Sequence, residues 1–207
     1  MGAGAWGTTL ARLVARTEPV TLLCHSPETA ARIAATGRNE ARLPGVDLPD
    51  GLRATADRAA IGEARDLVIV AVPSAHVRST MTTLAGVLPP SADVLSVVKG
   101  LERRTLLRMS EVIADAGGMA AERVAALSGP NLAAEVARNL PASAVVAARD
   151  IALAERIVKR VGRRRFGSTS TPTCWAWSLP GRSRTSSRSL PAPQTASALV
   201  TTARRDS

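Results

Sequence analysis

From residue 2 to about residue 162, short apolar runs alternate with segments of helical period, and that alternation restricts the chain to a narrow set of folds. A strand that leads into a helix and then into another strand returns as a parallel neighbour, with helices covering the faces of the sheet. The longest apolar run, Leu67 to Val72, has the length and uniformity of a strand buried on both sides, opened by Asp66 and closed by Pro73 and Ser74. Val20 to Cys24, Asp93 to Val98, Val124 to Leu127 and Ala144 to Ala147 read as further strands. Helices are expected over Thr8 to Arg16, Pro27 to Thr36, a segment ending at Leu84, Leu106 to Ala116, Leu132 to Arg138 and Ile151 to Val161. Gly37 stands where a helix C-cap is wanted.

The stretch Gly2-Ala3-Gly4-Ala5-Trp6-Gly7 satisfies G-x-G-x-x-G directly ahead of the first helix. The first glycine permits a tight turn, and the second lets the backbone approach a pyrophosphate. The third lets the helix pack closely, with its N-terminal dipole on the phosphates. The fold class expected is α/β, a Rossmann-type doubly wound and mostly parallel sheet. Sites selective for NAD place Asp or Glu at the end of the second strand, to hold the ribose 2′-OH. Here Cys24, His25 and Ser26 stand there, which leaves room for a 2′-phosphate, so the expected cofactor is NAD or NADP. A surface histidine at a strand end is the plainer reading of His25. Such a loop should also follow a strand, yet Met1 directly precedes Gly2, so the sheet is expected to be incomplete at its first strand.

Composition narrows the class further. No run of about 18 apolar residues could span a membrane, and the glycines at the start interrupt any signal-peptide h-region. Arg12 and Arg16 ahead of the first acid, Glu18, faintly resemble a transit peptide, and Trp6 breaks the myristoylation pattern. Two cysteines are too few for a disulfide framework or a zinc site, so no metal is expected and the chain reads as cytoplasmic. Of the net charge of +10, about +7 comes from residues 163–207, which hold eight arginines and one acid. A nucleic-acid-binding module acting through that arginine tail is a possible alternative, but the tail offers only Phe166, Trp175 and Trp177 for stacking, and no nucleic-acid partner is expected.

Two further segments fall at strand ends, where open α/β sheets bind ligands. Lys99, one of two lysines, follows the Asp93 strand and could polarise a carbonyl or pair with a phosphate, or could simply be a solvated loop lysine. Ser128-Gly129-Pro130-Asn131 leads from a strand into a helix and could hold an anion on its backbone N–H groups, or form an ordinary turn. His76, after the Pro73-Ser74 turn, reads as a helix-surface residue.

Taken together, these residues resemble bacterial NAD(P)-dependent glycerol-3-phosphate dehydrogenase over roughly residues 2–166. The shared signals are the glycine loop, Leu43-Pro44-Gly45, Ala71-Val72-Pro73-Ser74, Lys99-Gly100-Leu101-Glu102, and Ser128-Gly129-Pro130 with Ala133 and Glu135. The resemblance implies hydride exchange between NAD(P)H and dihydroxyacetone phosphate for phospholipid synthesis, in a cytoplasmic homodimer. It implies cofactor contacts at Gly2, Gly4, Ala5, Trp6, Gly7, His25, Lys99 and Ala133, and substrate contacts at Lys99, Gly129 and Asn131, with Lys99 also in the catalytic position. Asn131 stands where the family more often has Ser or Thr. Another reductase with this N-terminal domain, such as a β-hydroxyacid dehydrogenase or a ketopantoate reductase, is the nearest alternative.

The resemblance also implies a second lysine, in a Leu-Lys-Asn segment opening an all-helical substrate domain. No such segment occurs, and Lys159 lies too early, on a charged helix face. The domain expectation is therefore a dinucleotide-binding domain over 1–166 and a low-complexity, disordered tail over 167–207, with the helical domain absent. Regrouping codons one base earlier converts Cys174 to Trp177 into a Leu-Gly run like the one the family shows ahead of its lysine. The Ser/Arg/Pro-rich tail is accordingly expected to be a frame-shifted translation, and the 207-residue chain an inactive fragment.

Overall fold

The structure, a computed structural model, describes residues 1–64 and 66–162 and the backbone of residues 166–171. Its elements are α1 (Ala5–Val14), β1 (Val20–Leu23), α2 (Pro27–Thr36), β2 (Leu52–Thr55), β3 (Leu67–Val70), α3 (Val77–Leu84) and β4 (Asp93–Ser96), followed by α4 (Met109–Gly117), β5 (Val124–Ser128), α5 (Ala133–Ala137), β6 (Ala142–Ala148), α6 (Ile151–Val161) and β7 (Phe166–Thr171). The α/β class is as expected. β3-β4-β5-β6-β7 form one sheet and β1-β2 a second, with every pairing parallel except the antiparallel β5–β6.

Between the two sheets lies a slot bridged at one end by Met1. Its amine donates to the Ile69 carbonyl oxygen at 2.6 Å, and its carbonyl oxygen accepts from the Ala71 N–H at 2.9 Å. A residue bonded to positions either side of Val70 is paired with Val70 as in a parallel ladder. The next N–H, of Gly2, donates across to the Leu23 carbonyl oxygen at 3.1 Å. Met1 thus pairs with β3 while Gly2 bonds to the end of β1. Behind Met1 a cavity of about 740 Å³ runs between Val20, Leu22 and Leu23 on one side and Leu67 to Ile69 on the other.

Alternation along the strands feeds cores on both faces of the larger sheet. Val94 packs with Val70, Val77, Met81, Val112 and Ile113 under α3 and α4. Its neighbour Leu95 packs on the opposite side with Leu10, Val146, Leu153 and Ile157 under α1 and α6. α1 also covers the small sheet, where Ala11 joins Leu22, Cys24, Ala30 and Ile33. Among the described residues no helix is long and apolar enough to cross a membrane.

Helix ends follow their local chemistry. The Ser26 hydroxyl accepts from the Thr29 N–H at 3.3 Å and Gly37 adopts φ +64°, so α2 occupies the span its sequence marks. The Asp150 carboxylate caps α6 on the Ala152 N–H in the same way. Three of the departures from the expected boundaries have a plain local cause. α1 starts at Ala5 rather than Thr8, because the glycine loop runs straight into the helix with Gly4 as N-cap. α4 starts at Met109 rather than Leu106, because Leu106 lies in a turn at φ +58° and the Glu111 carboxylate caps the Arg108 N–H at 2.9 Å. Residues 167–171, placed in the tail by composition, continue β7 along the outer edge of β6, whose backbone supplies the ladder that their sequence does not advertise. The rest of the tail, with Cys174, Trp175 and Trp177, lies outside the described residues.

Candidate functional site

The carboxyl ends of β1, β3 and β4 open on one side of the molecule into a cavity of about 1110 Å³. Gly2, Gly4, Ala5, Trp6, His25 and Lys99 line it. The three glycines of the loop sit in three different environments. Gly2 has φ +94°, and a Cβ there would lie 2.7 Å from the Ala71 carbonyl oxygen. Gly7 faces away from the cavity and packs so closely on Gly2 that a Cβ would collide with the Gly2 carbonyl oxygen. At Gly4 the backbone is ordinary extended chain, and a Cβ would meet nothing within 4 Å. No part of the protein accounts for a glycine at that position. The space a Cβ would take opens at the N-terminus of α1, whose first turn carries no acid and whose cap offers no side-chain hydrogen bond. The positive end of the α1 dipole stands at this edge of the cavity, which suits a phosphate.

The loop is held from below by Asn39, a polar residue only 2% exposed. Its amide donates to the Ala3 carbonyl oxygen at 3.0 Å and to the Thr8 hydroxyl at 2.8 Å. Thr9, also fully buried, donates to the Ala133 carbonyl oxygen at 3.1 Å. Ala133 is thus the first residue of α5 and sits beside α1 rather than in the cavity wall.

Lys99 extends from the end of β4, and its ammonium donates to the Gly129 carbonyl oxygen at 3.0 Å. The turn that carries it is fixed by Glu102, which takes the Arg78 guanidinium in two hydrogen bonds of 2.7 and 2.9 Å and also accepts from the Thr105 hydroxyl. Those bonds, the guanidinium first, hold the Glu102 carboxyl down at about 2. Arg78 also reaches Asp115 on α4 at 2.6 Å, so the lysine loop is braced against both α3 and α4. Gly129 closes against β6, where a Cβ would lie 2.6 Å from the Ser143 carbonyl oxygen. The Asn131 amide beside it is buried at both its nitrogen and its oxygen without a hydrogen-bond partner. Gly129 and Asn131 do not line the main cavity, and Lys99 is the side chain that links their corner to it.

Sequence reasoning missed four residues here. Asn39 carried no motif. Arg32, Arg42 and Arg58 line the cavity and come from α2, a turn and a short 3-10 helix that no spacing rule connects. His76, read as a helix-surface residue, is exposed at the end of the turn Ser74–His76 and lines the same cavity. Among the described residues no group of three or more His, Cys, Asp or Glu could hold a metal ion.

Comparison with known proteins agrees with this geometry. Residues 1–154 match the family described as NAD-dependent glycerol-3-phosphate dehydrogenase N-terminus. A glycerol-3-phosphate dehydrogenase [NAD(P)+] of Corynebacterium kroppenstedtii is 48% identical over 159 residues, which is 76% of this chain and 48% of that one. The crystal structure of glycerol-3-phosphate dehydrogenase from Coxiella burnetii superposes with a TM-score of 0.73 at 30% identity, over 82% of this chain and 52% of that one. A ketopantoate reductase from Ralstonia eutropha reaches a TM-score of 0.59 at 22% identity, over 83% and 55%, and so shares the fold. The chain spans about half the length of the curated relatives it matches. By its sequence over residues 1–154, the protein belongs to the NAD-dependent glycerol-3-phosphate dehydrogenase family, whose N-terminal domain it carries.

Proposed function

We propose that this chain binds NAD or NADP across the glycine loop and supplies the cofactor half of the interconversion of dihydroxyacetone phosphate and glycerol 3-phosphate. Gly4 carries the reading: its missing side chain is explained by a pyrophosphate at the N-terminus of α1 and by nothing else in the protein. Bound there, the nicotinamide cofactor supplies the hydride. The chain's own residues orient it. Gly2, Gly4 and Ala5 would present backbone and Trp6 an indole wall, and His25, at the end of β1, would meet the ribose.

Lys99 is placed to meet the substrate. A lysine ammonium has three N–H donors and one is spent on Gly129, so two remain for a carbonyl or phosphate oxygen. The buried, unpartnered amide of Asn131 lies next to that corner and offers both a donor and an acceptor. A second lysine able to move a proton at the substrate oxygen has no counterpart, since the other lysine, Lys159, lies on α6. The 207-residue chain alone is therefore proposed to bind without turnover. A cytoplasmic homodimer serving glycerophospholipid synthesis is part of the same proposal, supported by the family resemblance.

The test is a titration of the purified chain with NADH and NADPH, followed through Trp6 fluorescence, alongside a dihydroxyacetone phosphate reduction assay. Saturable binding without turnover is expected. Absence of binding by either nucleotide would sink the cofactor reading, and measurable turnover would sink the claim that the 207-residue chain binds without turnover.

A further inference from the structure

The slot between the two sheets is edged by backbone with little to bond to. In a parallel strand, successive residues turn their N–H and C=O groups to opposite edges. Cys24 donates to Thr55 on β2, and the Val70 carbonyl oxygen accepts from Val97, just past β4. Thr21 and Leu23 on β1, and Leu67 and Ile69 on β3, therefore face the slot. Gly2 takes the Leu23 carbonyl oxygen and Met1 takes that of Ile69. The N–H groups of Thr21, Leu23 and Ile69 and the carbonyl oxygens of Thr21 and Leu67 have no hydrogen-bond partner among the described residues.

Apolar side chains cover the slot on both faces. Val14 packs in the core of Leu95 and Ile61 in the core of Val94, so the two flank it from opposite sides. Gly7 and Ala11 line it as well, with Ala60 and Ala64. These four are small, which leaves the width of the slot to an occupant's own side chains. A strand covered on both faces is apolar at successive positions rather than at alternate ones. A hydrocarbon tail would suit such walls but leave every free backbone group unpaired, whereas an extended apolar peptide satisfies both.

The two ends of the slot differ in charge. At the inner end the Met1 amine spends one of its three N–H donors on Ile69, and no Asp or Glu pairs with it among the described residues. At the mouth, Glu18 ahead of β1 and Asp66 ahead of β3 stand on either side, and Arg160 from α6 bridges them at 3.5 and 3.0 Å. A peptide running parallel to both strands brings its carboxylate to the Met1 amine and its basic first residue to the two acids.

We propose that the slot is a strand-capture site, which takes a short apolar peptide with a free carboxyl end from another molecule and pairs it in parallel with β1 and β3. Met1 already lies in the ladder opposite Val70, so the occupant extends an existing pairing and inherits its direction. Its apolar residues fill the levels of residues 20–22 on one side and 67–69 on the other. The site does not depend on the nucleotide reading.

Calorimetric melting and hydrogen exchange of the full 207-residue chain with the peptide Lys-Val-Ile-Val test it. The peptide is expected to raise the melting temperature by roughly 5–10 °C at a hundred times its dissociation constant. It should also slow exchange at the N–H groups of Thr21, Leu23 and Ile69. The C-terminal amide of the same peptide should bind several-fold more weakly, and Lys-Val-Pro-Val, which lacks a ladder donor, should give no shift. Ala64→Leu, which narrows the slot without altering a strand, should keep the parent melting temperature and lose most of the peptide's effect. No shift with Lys-Val-Ile-Val overturns the site. An equal shift with the proline peptide or with decanoate also overturns it, since the slot is then an apolar pocket and not a strand site. Protection of those N–H groups in the chain without peptide overturns it as well, because a second copy then fills the slot.

Discussion

The carbonyl oxygen of Gly2 occupies the place that a Cβ on Gly7 would need. The turn and the helix it launches are thus in backbone contact, and Gly7 is a packing glycine, whereas Gly4 is a glycine with empty space in front of it. Substitution separates the two roles. Gly7→Ala must push the loop off α1 and should cost on the order of 3 kcal/mol or more. Gly4→Ala should leave the melting temperature within about a degree, since its backbone is extended and its Cβ clear, yet weaken dinucleotide binding about tenfold. Thermal melts and cofactor titrations of the two variants give the comparison, and a Gly4→Ala chain that binds normally would remove the argument for a phosphate there.

Asn39 should behave as a structural anchor rather than a contact. Asn39→Ala strands the buried Thr8 hydroxyl and the Ala3 carbonyl oxygen, at a cost of about 1–3 kcal/mol. Asn39→Asp should be worse than Asn39→Ala, because a carboxylate cannot donate to either partner and is itself buried. Denaturant midpoints of the three chains would check the order.

The Glu102 carboxyl, held at about 2 against an ordinary 4.5, binds fewer protons in the folded chain than in the unfolded one between those values. Its contribution is therefore present above pH 4.5 and is lost as pH falls through about 2. In Glu102→Gln the stability difference from the parent should be constant above pH 5 and shrink toward pH 2. The same variant frees the Lys99 turn from Arg78, so hydrogen exchange at Gly100 and Leu101 should rise at neutral pH, and unchanged exchange would show that the turn is held by other bonds.

Burial of the Met1 amine in the slot lowers its pKa to about 6 from 8.0. The unfolded chain binds more protons between those values, so the 207-residue chain should lose stability as pH falls from 8 toward 6. Fusing four alternating apolar residues ahead of Met1 removes that charge and offers backbone to the facing edges of β1 and β3. A rise in melting temperature is expected, roughly 2–4 °C for each kcal/mol gained, together with loss of the pH dependence. No rise would mean that the slot does not admit a strand.

Much of this architecture was readable before any coordinates. α2 and α6 begin and end where Ser26, Pro27, Gly37 and Asp150 say they should, because caps and turns are local chemistry. β2 was not readable: Leu52-Arg53-Ala54-Thr55 is a strand because β1 pairs with it, and pairing is a property of the other strand. The site divides along the same line. The glycine loop, His25 and Lys99 stand at strand ends that a pattern can locate. Asn39 and the three arginines reach the cavity from a loop, an α-helix and a short 3-10 helix, so only the folded chain brings them to one cavity.

The join at Met1 has a mechanical consequence. The Met1 and Gly2 backbone bonds to the edges of both sheets, and His25 stands at the end of one sheet while Lys99 stands beyond a strand of the other. A dinucleotide lying from one to the other would act as mortar. Whatever free energy its binding releases also resists separation of the two sheets, about 2.7 kcal/mol at a hundred times the dissociation constant. Heat tolerance in this chain should then track the nucleotide concentration around it, so that a change in the cell's cofactor pool would register as a change in how long the protein persists.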